Sequence, residues 1–316
     1  MINRKPESKV YWKQASNGLI AHVYEHIASS FITGYMTNKN MYYVADFDHW
    51  ARTYGTLCYL DFRLQSNQSA SQLHKAYAAF AKEDITFDMA RHAALQISAE
   101  YQRPLMQFDD KFVNELRYLH SKAWQDIRDF SIEQATEDTS VNTVFSMEGI
   151  RYGRVMQSSF ENIILHFEIN KEVYKNNPAL KALAILIIQT VALNLHRSLE
   201  DEKEYYDTGD IWDNGAEIVA YRTKLAFPKR SMIEQKILQE RSNSYLIGLN
   251  KRLLSKKLCR LIMLNYKNES SRYFSYESMN EITNGIFIGY AGWKKAATIS
   301  NIQLLMDNVT IEVINN

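Results

Sequence analysis

Ile20, Val23, Tyr24, Ile27 and Phe31 recur every three or four positions, follow Asn17-Gly18 and run up to Gly34, a spacing that predicts a helix over residues 21–35. Between residues 42 and 64 the texture turns aromatic and β-branched. Near its end the polar-faced Tyr59, Asp61 and Arg63 alternate with Leu60, Phe62 and Leu64, which predicts a half-buried strand over residues 56–64. A polar turn at 66–71 leads into a helix over about 70–82. Thr86 caps a second helix over 87–101 that stops before Pro104, and 112–132 reads as a third. Beyond a polar stretch come a strand at 158–169 and a long apolar helix. Further strands are predicted at 216–227, 285–290 and 309–314, with helices at 231–242 and 250–264. The mixture is of the α+β class. Strand, polar turn and helix follow one another at 56–82 and again at 158–200, which points to an internal duplication. A division near residue 150 follows, into 1–150 and 151–316.

Composition narrows the class. With 316 residues, 46% hydrophobic and 23% charged, the chain can bury one large core or two smaller ones, and disordered or collagen-like classes are excluded. Thirty-seven Lys and Arg against 36 Asp and Glu leave a net charge of +1, so no global field attracts nucleic acid or an anionic membrane, and neither is expected as a partner. The two cysteines, Cys58 and Cys259, make no disulfide framework, and residues 1–14 hold no apolar stretch of a secretory signal. A cytoplasmic location is expected. Residues 180–195 are apolar but interrupted by Lys181, Gln189 and Asn194, and are shorter than the roughly 20 residues a membrane span needs. They read as a buried core helix with Pro178 in its first turn.

One motif carries chemistry. His22-Val-Tyr-Glu25-His26 places two imidazoles at i and i+4 on one helix face, where both can bind a single cation while Glu25 stands within reach of a metal-bound water. Metal-assisted hydrolysis needs that set, because the ion lowers the water's pKa and the carboxylate takes its proton. A third protein ligand is required. Glu100, at the end of the predicted 87–101 helix, is the leading candidate, with His92, His74, Glu83 and Asp84 open beside it. No Gly-rich phosphate loop or nucleophile elbow is present.

The stretch Gly18-Leu-Ile-Ala-His22-Val-Tyr-Glu25-His26-Ile resembles the inverted zinc motif of the pitrilysin and mitochondrial-processing-peptidase family of metallopeptidases. Glu100 follows His26 by 74 positions, in a helix ending Glu-Tyr-x-Arg-Pro-Leu that is also similar to the family's. The resemblance implies Zn2+ as cofactor, His22, His26 and Glu100 as its ligands, and Glu25 as general base. It also implies antiparallel sheets covered by helices, with a peptide or leader segment bound as an added strand at a sheet edge. The chain departs from the pattern in several places. A supporting glutamate is replaced around Ala93, and Trp50-Ala51-Arg52-Thr53 takes the place of the usual edge-strand signature. No distal Arg and Tyr pair can be assigned, since Arg272-Tyr273 and Tyr221-Arg222 are adjacent dipeptides only. The short length further implies a homodimer or a heterodimer with a related subunit, with the apolar helix at 180–195 or an aromatic surface as the contact. A non-catalytic scaffold subunit of the same family is the alternative. S-ribosylhomocysteine lyases resemble the first motif too, but their third ligand is a cysteine in a Gly-Cys context that neither Cys58 nor Cys259 has.

Overall fold

The computed structural model describes residues 7–100, 109–126, 160–200, 206–213, 219–228, 235–267 and 290–315. These form two four-stranded antiparallel sheets with helices packed against them. The first is built from β1 (Glu7–Gln14), α1 (Gly18–Asn38), β2 (Phe47–Tyr54), β3 (Leu57–Leu64), α2 (Asn67–Phe80), α3 (Phe87–Glu100), α4 (Asp110–Ser121) and the short β4 (Gln125–Asp126). The second follows with β5 (Phe160–Ile169), α5 (Pro178–Glu200), β6 (Tyr206–Asp213), β7 (Val219–Pro228), α6 (Gln235–Gly248), α7 (Lys251–Lys267), α8 (Tyr290–Ala296), α9 (Ile299–Asp307) and β8 (Val309–Asn315).

The strand orders are β2-β3-β1-β4 and β6-β7-β5-β8. Each sheet therefore threads its strands identically, and the duplication is real at the level of topology. Its register is not the one the sequence suggested. β5 and α5 are the counterparts of β1 and α1, so residues 160–200 match 7–38 rather than 56–82. The boundary expected near residue 150 lies outside the described residues, as does most of the strand expected at 285–290, whose last residue, Tyr290, instead opens α8.

Capping explains several element limits. The Asn17 side chain accepts from the Ile20 amide at 2.9 Å and starts α1. Ser66 and Ser69 cap each other reciprocally, which starts α2 at Asn67, earlier than the apolar spacing suggests. α4 ends at Ser121, well short of residue 132, because Lys122 turns extended and the chain enters β4. Gly55 takes a positive φ of 55° in the β2–β3 turn, and a Cβ on Gly18 would lie 3.0 Å from its carbonyl oxygen. That close approach seats the start of α1 on the hairpin end.

Two cores result. α1 packs on the first sheet with Ile20, Tyr24, Phe62 and Phe80 buried at its centre. α5 is the only helix among the described residues long and apolar enough to span a bilayer, yet Ala182, Leu183, Ile187, Ile188 and Val191 are all buried in the second core. It is a core helix, and so it cannot supply a subunit contact. Residues 40–46 join the halves. Val44, at the left-handed φ of 67°, and Ala45 sit in the second core, while Asp46 accepts from Lys257 Nζ at 2.6 Å and the Tyr43 amide donates to Asn194 Oδ1 at 3.2 Å. The outer edge of β8 is closed from α6, where Gln239 donates to the Ile311 carbonyl and accepts from the Val313 amide, and Gln235 donates to the Val313 carbonyl.

Candidate metal centre

α1 carries His22, Glu25 and His26 on one face, each buried and within 8% exposure. The two Nε2 atoms lie 3.2 Å apart. Glu100, the last residue of α3, brings Oε2 to 3.4 Å from His22 Nε2 and 3.6 Å from His26 Nε2. Three donors bound to one tetrahedral ion at about 2.0–2.1 Å would stand about 3.3–3.4 Å from one another. The observed triangle matches one face of that tetrahedron. Two imidazoles and a carboxylate are also the donor set of open zinc sites, so the residues present fit such an ion. Glu25 Oε2 lies 3.8 Å from His22 Nε2, outside the triangle and beside it.

Neighbouring elements fix these groups. Gln96, one turn before Glu100, places Oε1 at 3.1 Å from His26 Nδ1. As a carbonyl oxygen it accepts from Nδ1–H, which leaves the Nε2 lone pair facing the other donors. Thr53 on β2 donates to Glu25 Oε2 at 3.3 Å. β2 is an edge strand, so the Trp50–Thr53 segment does lie at a sheet edge beside the cluster. Across the sheet under α1, Thr53, Cys58 and Lys13 stand in register.

Burial and the other charges set the protonation states. Burial raises the Glu25 carboxyl above its ordinary range, and nearby Glu100 adds to this, against the opposing pull of His26, His22 and Thr53. Burial would likewise raise Glu100, but hydrogen bonds and charge from His22 and His26 outweigh it and hold the carboxyl at about 2. Burial disfavours the protonated form of His26, yet Glu25, Glu100 and Gln96 together raise it. The cluster thus concentrates negative charge around imidazoles and favours a cation among them.

The structure brings His22, Glu25, His26 and Glu100 together and leaves the other ligand candidates out. His74 is exposed on α2, Glu83 and Asp84 are exposed between α2 and α3, and His92 is not in the cluster. Tyr221 is buried and Arg222 donates to His166 Nδ1 at 3.1 Å, so this dipeptide belongs to the second sheet; Arg272-Tyr273 lies outside the described residues. Sequence reasoning missed Gln96 and Thr53. The i−4 spacing from Glu100 was a usable signal for Gln96.

No known family profile and no curated protein matches the chain. Among solved structures it is similar to the ferredoxin protease FusC in complex with Arabidopsis ferredoxin, at 7% identity over 97% of this chain and 42% of that one, with a TM-score of 0.31. It is also similar to a protease from Helicobacter pylori, at 10% identity, 98% and 94% coverage and a TM-score of 0.30. Pitrilysin follows at 12% identity, 99% and 43% coverage and a TM-score of 0.27. The chain thus spans less than half the length of the first and third. These likenesses are distant, and the α+β architecture described above rests on its own strand order.

Proposed function

We propose that this chain is a zinc-dependent peptidase that hydrolyses peptides or leader segments bound as an added strand on β2. The observation that carries the reading is the donor triangle of His22, His26 and Glu100 with a buried carboxylate beside it, tethered to an edge strand. A bound zinc ion supplies a Lewis acid that makes coordinated water acidic near neutral pH. His22, His26 and Glu100 would hold the ion, and Gln96 keeps His26 in the tautomer that can ligate. Glu25, raised by burial, takes the water's proton and returns it to the departing amine. Thr53 aims that carboxylate and, being on β2, ties its position to the strand against which the peptide would pair.

The test pairs metal analysis with cleavage of a random peptide mixture. About one zinc per chain is expected, with turnover abolished by a chelator and restored by zinc. Glu25→Gln is expected to keep the zinc and lose at least about a hundredfold in turnover, the lower end of a general-base contribution. A zinc-loaded wild type that cuts nothing would instead establish the non-catalytic scaffold.

A further inference from the structure

Side chains tie β2 to α1 at Thr53, which touches Glu25, and again further along the helix. The second tie is a buried pair one turn beyond His26. Ser29 Oγ lies 2.8 Å from His49 Nε2, and both residues are 8% exposed. His49 shares the inward face of β2 with Phe47, Ala51 and Thr53, and its ring stacks on Phe62 at 5.3 Å with an interplanar angle of 22°. Its Nδ1 lies 3.3 Å from the Tyr43 hydroxyl. Either tautomer lets the ring donate once and accept once along Tyr43–His49–Ser29. Tyr43 is itself clamped by the second half, through Asn194 Oδ1 at 3.2 Å and the Arg197 guanidinium 5.0 Å over its ring.

The two anchors do different work. β2 is paired with β3 along its whole length and moves with the sheet, so a helix tied to it only through Glu25 can turn against the sheet about that contact. On α1, Glu25 and Ser29 are separated by about 6 Å of helix rise, whereas Thr53 and His49 are about 13 Å apart along β2. Two ties that far apart along the strand fix the angle at which the metal helix crosses β2. A peptide paired to β2 would follow that angle, and misplacement of about 1 Å at a reacting carbonyl can cost on the order of a hundredfold in rate.

We propose that His49, through its bond to Ser29, is a positioning residue that sets which bond of the strand-bound peptide lies over the metal centre. This rests on the peptidase reading above. Binding comes from backbone pairing along β2, so loss of the anchor acts on turnover and on the site of cutting more than on capture.

The experiment uses the full-length, zinc-loaded protein and one fixed peptide that the wild type cuts, with products mapped by mass spectrometry. His49→Phe keeps the ring and loses both hydrogen bonds. It is expected to lower kcat about a hundredfold with KM within about twofold, and to spread cutting to bonds two residues away, the repeat of strand pairing. His49→Gln, whose amide can still reach Ser29, is expected to restore the single cut, and Ser29→Ala to reproduce the Phe variant and to carry the test if that variant does not fold. In the metal-free proteins, amide exchange over Phe47–Tyr54 is expected to quicken in His49→Phe and Ser29→Ala but not in His49→Gln. Unchanged cut positions and unchanged exchange in these two variants would overturn the proposal, as would a Gln variant that behaves like Phe. Failure of the peptidase reading looks different, since the wild type itself then cuts nothing and both fall together.

Discussion

Gln96 touches no predicted ligand in sequence and yet decides the state of one. By accepting from His26 Nδ1–H at 3.1 Å it fixes which imidazole nitrogen faces the donor triangle. Gln96→Ala is expected to weaken zinc affinity about ten- to a hundredfold while leaving the fold intact, measured by competition with a chromophoric chelator. Glu100→Gln, which removes a charged donor, is expected to weaken it further; equal affinity in Glu100→Gln and wild type would reassign the third ligand. Lys13 offers a titration away from the cluster. Burial holds its ammonium down to about 8, with the Tyr24 hydroxyl and the Leu119 and His120 carbonyls accepting its hydrogen bonds. Between about pH 8 and 10.5 the unfolded chain then carries more protons than the folded one, so this residue's contribution to stability rises with pH across that window. The melting temperature of wild type relative to Lys13→Met is expected to climb from pH 8 to pH 10, by an amount on the order of 2 kcal/mol in stability. At this scale His22, Glu25 and His26 were legible because three residues on one helix carry their own geometry. Gln96, Thr53 and His49 were not, because each acts across elements whose packing no local spacing reports.

Helices were read more faithfully than strands, and the reason lies in their length and faces. α1, α3 and α5 show repeated apolar positions over several turns. β1 was missed because its eight residues mix Lys9 and Lys13 with Tyr11 and Trp12, and the buried Lys13 breaks the alternation a strand should show. β3 was read at 56–64, but β2 was left inside the aromatic, β-branched texture before it, although Gly55 marked the turn between them. The Gly18–Gly55 approach gives a test whose sign discriminates. In an open helix, Gly→Ala gains up to about 1 kcal/mol. Here the added Cβ meets backbone at 3.0 Å, so Gly18→Ala is expected to lower the melting temperature and to slow turnover, because α1 and the β2–β3 hairpin must part. A raised melting temperature would show that the hairpin yields without cost.

For the whole molecule, the two halves meet where the third donor is held. α3 rests on β6 and β7 of the second sheet as well as on α1. Ala90, Ala93 and Ile97 pack in the first core, while Ala94 and Ser98 are buried on the opposite flank from Gln96 and Glu100. Ala94→Leu is expected to push α3 outward and to lower zinc affinity without touching a ligand, read by the same chelator competition. Assembly is a proposal, and with most of α5 buried its contact would come from another surface. A dimer is expected by light scattering at micromolar concentration, with specific activity falling on dilution; a monomer of constant specific activity would refute it. The state of the sheet edges has a consequence of its own. Among the described residues, β4 has two residues, β6 lies against α3, and β8 is closed by the amides of Gln235 and Gln239, which leaves β2 as an eight-residue edge with a strand on one side. Under the proposed function, the selection among peptides would fall on their shape before their side chains. A segment already coiled into a helix has no free amides to offer, and a proline at a position facing β2 lacks the N–H the ladder needs. Such sequences would pass the site uncut however well their side chains suited it.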